Sequence, residues 1–409
     1  MKVKTLVVLL CGIATIAFGG LENAKVVHHS GGLSGTMQAL RADDAWIAYE
    51  LPTPSSRYVM CCMNWLGHGK SVSTKTCSLG RGGSSFMGPG SDEIGRIDAS
   101  TMIVAVHQES GAVRDVEVYS GGCPVDAGGK TVHVVDGVSA DESLRVLDGV
   151  VGQAERHRGR NGALSAIAMH DSPHATQILE RLSTGNGNRE LRGSAIFWLA
   201  QTGGRRGFEV ARRLANDDPY RDIRKKAVFA LTQSSDPEVF DALASLVRHH
   251  PEADTRSEAI FWLGQHAGQK ALPILRERLE QETSHAVREK AIFAVSQVPG
   301  EEAVKLLIDL AHRSADTHIR KQAIFWLGQK AEQRMASVLR ESVDHDPSSE
   351  VREMAVFAIS QRPRDEAIPT LIELARSHRD LAVRKKAIFW LSQMDDPRAL
   401  AAIEKMLLQ

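Results

Sequence analysis

The chain lacks an excess of charge of either sign, because 50 Lys and Arg residues balance 50 Asp and Glu residues. A nucleic-acid-binding protein normally carries a basic surplus, so the composition argues against that class. We interpret the basic clusters at 224–226 and 384–386 as solvated helix faces. Beyond the N-terminal segment there is also no apolar run of the roughly 20 residues that a bilayer span requires. We therefore expect no membrane span in the mature chain.

Motifs that would indicate a metal centre or a phosphate-binding loop are also missing. The sequence has no C-x-x-C and no His-Glu dipeptide, and its 16 histidines are scattered. Residues 67–71 are similar to the end of a phosphate-binding loop, but Asn64 stands where that loop needs a glycine. No Ser-His-Asp set can be recognised from spacing. We expect no catalytic residue, no metal and no cofactor.

Cysteine is scarce and confined to the first third of the chain. Besides Cys11 there are Cys61, Cys62, Cys77 and Cys123. An even number of cysteines in one region of an exported chain predicts two disulfides. Because a bond between adjacent cysteines is strained, we expect one of Cys61 and Cys62 to pair with Cys77 and the other with Cys123. A zinc site or a reactive free thiol is the alternative.

Residues 1–20 have the features of a secretory signal peptide. Lys2 and Lys4 give a positive start, 6–18 is a short apolar core, and small residues come after it. Cys11 lies inside this segment, and the bulky Leu10 before it argues against lipoprotein processing. The segment predicts a periplasmic or secreted protein, with an uncleaved anchor as the alternative.

Residues 21–156 differ in composition from the C-terminal two thirds of the chain and predict a small β-rich domain with two disulfides. Ser139 and Glu142 have capping-box spacing, which predicts a closing helix that runs to about residue 150. Residues 80–95 are rich in Gly and Ser and predict a loop. The candidate strands are 46–51, 58–63, 102–107, 113–119 and 131–135.

Residues 157–409 repeat a heptapeptide, first seen at 195–201, at a constant interval of 32 residues. It begins at Ala195, Ala227, Ala259, Ala291, Ala323, Ala355 and Ala387. An Arg stands three residues before each Ala, and a second apolar run comes after each heptapeptide. Apolar residues at three- and four-residue spacing predict two amphipathic helices per unit. With a degenerate first unit around Ala163, the pattern predicts a stack of seven to eight helical hairpins.

A second periodicity is superimposed on the first. The position three after the Ala alternates between Trp and Ala along the array: Trp198, Ala230, Trp262, Ala294, Trp326, Ala358, Trp390. We expect each Trp to be matched by a small residue in the next layer, so that packing stays dense. Ser284, Asp316, Ser348 and Asp380 are expected to cap the heptapeptide helices.

The motif in 287–291, Val-Arg-Glu-Lys-Ala, and the sequence 323–328 resemble the HEAT-repeat family in its short, phycobiliprotein-lyase-type form. The resemblance covers about 157–409. It implies a mainly α, right-handed α-solenoid behind the β-rich domain. It also implies two enzymatic relatives, bilin lyases and a deoxyhypusine hydroxylase whose iron is bound by His-Glu pairs. The missing His-Glu dipeptide argues against the hydroxylase, and the export signal argues against the lyase.

The constant phase of Phe in the heptapeptide is the clearest indication of a binding surface. Helical geometry places it opposite the Ala and Leu of the core. Either the Phe side chains line the concave groove, or each ring packs sideways on its neighbour; both interpretations stay open. The Gln that ends the heptapeptide could bind a partner's backbone or cap the helix. The proposed binding residues are Phe197, Phe229, Phe261, Phe293, Phe325, Phe357, Phe389, Gln233, Gln265, Gln297, Gln329 and Gln361.

The Arg row has a structural and a functional interpretation as well. Its side chains could bridge layers through Asp222, Asp254 or Glu350 or through turn carbonyls, or they could recognise an anionic ligand. Taken together, the sequence predicts an exported scaffold that binds a protein or peptide partner in its concave groove and is not an enzyme. The alternatives are an enzyme or lyase whose array positions a substrate, and a structural envelope component.

Overall fold

The computed structural model describes residues 20–53, 59–66, 71–81, 85–87, 100–153, 157–330, 332 and 334–408. The predicted signal peptide, the string 67–70 and most of the predicted loop at 80–95 lie outside these residues. The chain forms two compact units, Met1–Gly207 and Phe208–Gln409. The predicted domain boundary at 156 therefore lies inside the first unit, which also contains the first helices of the repeat pattern.

The first unit is built on a five-stranded sheet of order β2-β11-β3-β8-β9. The sheet is mixed. Strand β11 pairs in parallel with β2 and with β3, whereas β8 pairs in an antiparallel manner with β3 and with β9. Two three-stranded sheets, β1-β10-β6 and β5-β4-β7, complete the strands. The strands are β1 (Leu21–Glu22), β2 (Lys25–His29), β3 (Asp44–Pro52), β4 (Val59–Leu66), β5 (Ser71–Lys75), β6 (Cys77–Ser78), β7 (Ser85–Met87), β8 (Thr101–Glu109), β9 (Ala112–Ser120), β10 (Val125–Asp126) and β11 (Thr131–Val135).

The five predicted strands are all present, with bounds that differ by a few residues. The sequence missed β2, an edge strand without regular alternation of buried and exposed residues. It likewise missed β7, which lies inside the predicted loop at 80–95 and pairs with β4. It also missed the short helix α1 (Leu33–Ala39). The closing helix α2 (Ala140–Gln153) begins where the capping box predicts, and Ser139 Oγ accepts a hydrogen bond from the Glu142 amide.

Both predicted disulfides are formed. Cys61 is bonded to Cys123 and Cys62 to Cys77, and all four cysteines lie in the hydrophobic core of the first unit. This agrees with the expected pairing and leaves none of the four as a thiol for a zinc site or a nucleophile.

Three helices of the repeat pattern belong to the first unit: α3 (His157–Ala168), α4 (Pro173–Thr184) and α5 (Arg189–Thr202). Helix α3 packs directly on β9. A Cβ at Gly162 would lie 1.7 Å from the carbonyl oxygen of Val116, so only glycine permits this approach. The degenerate first unit of the array is thus adapted to a strand as its neighbour.

The helices from α6 onward continue the repeats, and a short 3₁₀ turn (Gly268–Ala271) precedes α10. Among the described residues, no helix combines the length and apolar character that a bilayer span requires. The helices are α6 (Gly204–Asp217), α7 (Arg221–Leu231), α8 (Val239–His249), α9 (Ala253–Ala267), α10 (Leu272–Gln281), α11 (His285–Gln297), α12 (Glu301–Arg313), α13 (Thr317–Gly328), α14 (Met335–His345), α15 (Ser349–Ser360), α16 (Arg364–Ser377), α17 (Leu381–Ser392) and α18 (Pro397–Leu407).

In the second unit the heptapeptides lie on α7, α9, α11, α13, α15 and α17, which we call the inner helices. Neighbouring inner helices pack more closely than the helices that alternate with them. A stack whose layers are closer on one side curves toward that side, so the inner helices line the concave face. The predicted helix caps are only partly formed. The side chains of Asp316 and Asp380 accept hydrogen bonds from backbone amides. Ser284 and Ser348 occupy the cap position, but their side chains make no capping hydrogen bond.

The Trp–Ala alternation corresponds to two kinds of step between layers. The steps α9 to α11 and α13 to α15 are closer than the steps α7 to α9 and α11 to α13. At the close steps Gly264 faces Ala294 and Gly328 faces Ala358. At these steps the small residues match each other, because two residues without long side chains let the helices approach. That each Trp is also matched by a small residue in the next layer stays a prediction.

Candidate partner-binding surface

The heptapeptide Phe side chains of the second unit are neither core nor fully exposed. Phe229, Phe261, Phe293, Phe325 and Phe357 are half-buried. Phe389, in the last inner helix, is 50% exposed. Phe197, in the first unit, is likewise half-buried. The two open interpretations therefore both apply in part, since the rings pack on one another and still present a face to solvent.

The three Trp side chains of the second unit are half-buried and connect the Phe rings. Trp262 lies 4.7 Å from the Phe229 ring of the preceding repeat and 4.9 Å from Phe261 of its own. Trp326 bridges Phe293 and Phe325 in the same way, at 5.4 and 4.9 Å. The third bridge is Trp390, 5.0 Å from both Phe357 and Phe389.

At the close steps the Phe rings stack directly on each other. Phe261 and Phe293 are 6.1 Å apart with planes inclined by 10°, and Phe325 and Phe357 are 6.3 Å apart and inclined by 5°. The result is an unbroken series of rings along the concave face, which we call the aromatic row. In order it consists of Phe229, Trp262, Phe261, Phe293, Trp326, Phe325, Phe357, Trp390 and Phe389.

The predicted Gln row divides into two classes. Gln233, Gln297 and Gln361 come after a Thr or Ser, and each side-chain amide donates to that hydroxyl at 3.0–3.1 Å. Gln265 and Gln329 come after Gly264 and Gly328 and are exposed, and their side-chain amides have no hydrogen-bond partner within the described chain. Only the second class offers a whole amide to a ligand.

Charged side chains beside the aromatic row are paired between neighbouring repeats. Lys225 contacts Glu258 at 3.5 Å, and Lys321 contacts Glu350 at 3.1 Å. The pair of Glu353 with Lys386 has the opposite order of charge along the chain, and Glu289 contacts the His318 imidazole at 2.9 Å. Lys290 lies 5.4 Å from the ring centroids of both Phe261 and Phe293. The concave face therefore combines apolar rings with charges that largely neutralise one another.

The Arg row of the second unit has a structural role. Arg320 makes a bidentate contact with Asp346 of the next repeat, at 2.8 and 3.2 Å, and donates to the carbonyl of Ser314 at 2.9 Å. Equivalent contacts join Arg256 to Glu282 and Arg352 to Asp380. Bridging of adjacent layers through an acid is confirmed, whereas the carbonyls that these Arg side chains contact belong to the turn before their own helix.

Of the expected acid partners of the Arg row, one is confirmed and one was wrong. Asp254 lies 3.7 Å from Arg224, whereas Glu350 does not contact an Arg of the row in the described structure. Glu350 instead pairs with Lys321. The other acids that pair with the Arg row lie in the turn before the next inner helix. There Glu282 and Asp346 also accept hydrogen bonds from backbone amides.

The first unit contains a second candidate site, a polar cleft of about 640 Å³ that the sequence did not indicate. On its wall Trp46 stacks on His107 at 4.8 Å, and His107 Nε2 lies 2.6 Å from Asp44. Asp115 and Arg158 are paired beside them at 3.2 Å. The lining carries charges of both signs, with the acids Asp44, Glu109 and Asp115 and the bases Arg81, Arg114, Lys130 and Arg158.

Buried acids underlie this cleft. Glu117, 6% exposed, accepts hydrogen bonds from the Tyr119 hydroxyl and from the Gly80 amide. Burial and the neighbouring Glu117 raise the pKa of Asp115, although Arg158 opposes the shift. Burial and Glu117 likewise raise the pKa of the Tyr119 hydroxyl. The sequence signal was the pair of acids two residues apart on one face of β9.

A sequence model of HEAT repeats matches residues 240–328 and 336–409. Among curated proteins, none has a sequence that matches this chain. Similar solved structures include human deoxyhypusine hydroxylase in complex with glycerol, with 19% identity over 62% of this chain and 96% of that chain and a TM-score of 0.27. CpcE and CpcF of phycocyanin lyase from Nostoc have 17% identity over 57% and 92% and a TM-score of 0.28.

The Kap95:Nup1 complex is also similar, with 13% identity over 63% of this chain and 41% of that chain and a TM-score of 0.40. None of these three likenesses is strong enough to say anything about function. The family match, the 32-residue period and the paired helices agree with one another. The second unit of this chain is an array of HEAT repeats.

Proposed function

We propose that the array is a scaffold that binds a protein or peptide partner through its concave face. The observation that carries this proposal is the aromatic row, a continuous apolar strip that is partly exposed on the inner helices. Extended apolar strips with polar margins are typical of interaction sites. Aromatic side chains contribute large contact area at low entropic cost. The Arg row does not compete for this role, because its guanidinium groups are used between layers.

Two further parts of the proposal concern where the protein is located and whether it catalyses a reaction. We propose that the protein is exported, which the two disulfides support because such bonds persist in oxidising compartments. N-terminal sequencing of protein isolated from expressing cells tests this, since removal of about 20 residues is expected of a signal peptide. We also propose that the chain is not an enzyme. The two disulfides support this for reactions that need a free thiol, because all four cysteines are bonded.

Peptide display tests the binding proposal without a known partner. The full chain and the variant Phe261→Ser, Phe293→Ser, Phe325→Ser are each used to select from a random library. The variant Lys305→Ser, Arg313→Ser, changed on the exposed surface of α12, is the control. We expect peptides that bind the wild type and the control but not the inner variant. Selected peptides that bind all three proteins equally would contradict the proposal, provided that circular dichroism shows each protein folded.

A further inference from the structure

We propose that the ligand of the aromatic row is an uncharged, proline-rich segment in the polyproline II conformation. This inference rests on the proposed function and names the class of partner. It starts from the rings, since aromatic grooves recognise proline-rich segments by packing against pyrrolidine rings already held in an extended shape. The row supplies such rings in every repeat of the second unit.

The period of the array matches that of polyproline II. Packed helices have axes about 8–10 Å apart, so each repeat advances the surface by about that distance. A polyproline II chain has three residues per turn at about 3.1 Å each, so it presents the same side about every 9 Å. A β-strand presents the same side about every 6.7 Å and would lose register within a few repeats. One turn of polyproline II therefore fits one layer of the array.

Hydrogen-bond donors occur at a multiple of the same period. Gln265 and Gln329 each stand three residues after a Trp, which places ring and amide on the same side of the helix. The two amides are two layers apart, or about six residues of polyproline II, and both are exposed without a partner in the described structure. Polyproline II has no internal hydrogen bonds, so its carbonyl oxygens are free to accept from these amides.

The electrostatics of the face select against a charged ligand. The acids and bases beside the row are paired across repeats, as in Lys225–Glu258 and Lys321–Glu350. A charged peptide would have to break these pairs to find counter-charges, whereas an uncharged segment leaves them intact. The cation of Lys290 is directed over two rings of the row.

Fluorescence anisotropy with defined peptides tests the inference on the full chain. The probe is a labelled peptide of four Ala-Pro-Pro triplets, and the comparison peptides are Ala-Gly-Gly triplets and alternating Thr-Val. We expect the proline peptide to bind at least about tenfold more tightly than either comparison peptide. The variant Phe261→Ser, Phe293→Ser, Phe325→Ser is expected to abolish that binding.

The two classes of Gln provide a matched pair of variants. The double variant Gln265→Ala, Gln329→Ala removes the two free amides. It is expected to weaken binding of the proline peptide about tenfold. Gln297→Ala, Gln361→Ala removes amides that donate to neighbouring hydroxyls and is expected to change the affinity by less than about twofold.

The inference would be overturned by equal affinity for the proline and glycine peptides, by preference for the Thr-Val peptide, or by equal effects of the two Gln variants. Its failure is distinguishable from that of the proposed function. If display yields peptides that depend on the Phe residues but contain no proline, the scaffold stands and the ligand class is wrong.

Discussion

Gly328 and Ala358 meet so closely that a Cβ added to Gly328 would lie 2.7 Å from the Cβ of Ala358. This contact, with its counterpart between Gly264 and Ala294, defines the close step of the array. The close step in turn stacks Phe325 on Phe357. At the other steps a Trp fills the space between successive Phe rings. One Gly–Ala contact every second layer thus makes the aromatic row continuous.

Gly328→Ala is expected to destabilise the second unit by about 1–3 kcal/mol, because the close step must open to admit a methyl group. The substitution would otherwise favour a helix by about 1 kcal/mol. The double variant Gly328→Ala, Ala358→Gly is expected to recover most of the loss. Urea denaturation measures both.

Gly149→Ala in α2 is the control for this prediction, since nothing lies within 4 Å of the added Cβ. It is expected to stabilise the first unit or leave it unchanged. If Gly328→Ala is as well tolerated as Gly149→Ala, the close step does not depend on the missing side chain.

Asp346→Asn is expected to cost about 3 kcal/mol of unfolding free energy. The side chains of Arg320 and Asp346 are 8% and 6% exposed, so the substitution leaves a nearly buried guanidinium without its counter-charge. Glu302→Gln, which disrupts the solvent-exposed pair with Lys305, is the control and should give no measurable change. Equal effects of the two substitutions would contradict a structural role for the Arg row.

The two disulfides are expected to stabilise the first unit unequally. The Cys61–Cys123 bond closes a loop of 62 residues and the Cys62–Cys77 bond one of 15. Chain entropy predicts contributions of about 4 and about 3 kcal/mol, respectively. Replacing each pair by Ala and measuring unfolding by calorimetry tests the order, since all four side chains are buried. Peptide mapping without reductant tests the pairing itself, and bonds other than these two would refute the described core.

The first unit is expected to lose stability below about pH 6.5. His170 is buried, and burial lowers its pKa below the ordinary 6.5. Its Nδ1 donates to the Ala166 carbonyl, and its Nε2 accepts from Ser143, whose oxygen accepts from Tyr49. The unfolded chain takes up a proton near pH 6.5 while the folded chain does not. Stability is therefore full above that pH and is lost as the pH falls toward the folded pKa.

Denaturation at about pH 7.5 and about pH 5.5 measures this loss, which His170→Gln is expected to reduce. His174→Gln, on the exposed surface of α4, is the control and should keep the pH dependence of the wild type. A wild-type loss that persists unchanged in His170→Gln would assign the effect to other groups.

The sequence determines the repeats, the helices and the main strands because each is encoded by local periodicity. It also indicates the side of the helix on which each Phe lies. It does not give distances between layers, which depend on contacts between residues about 30 positions apart. For this reason the placement of Trp262 could not be derived from a single repeat, whereas the difference between Gln265 and Gln297 follows from the preceding residue, Gly264 or Ser296.

The missed features share a physical cause. Strand β2 is an edge strand held by parallel pairing with β11, and that pairing leaves no pattern in the residues of either strand. The cleft in the first unit collects side chains from several strands and from α3, so no motif marks it. The acid partners of the Arg row lie in the next repeat, at spacings of 26, 28 or 30 residues. Local sequence therefore indicated Asp254 correctly but missed Glu282, Asp346 and Asp380.

The most direct test of a binding role for the aromatic row is calorimetric titration of one display-selected peptide into three proteins. These are the wild type, the variant Phe261→Ser, Phe293→Ser, Phe325→Ser and the outer control Lys305→Ser, Arg313→Ser. A partner seated on the row predicts that the inner variant loses at least about 2 kcal/mol of binding free energy, roughly thirtyfold in affinity, while the control is unchanged. Full affinity in a folded inner variant would show that the partner binds elsewhere.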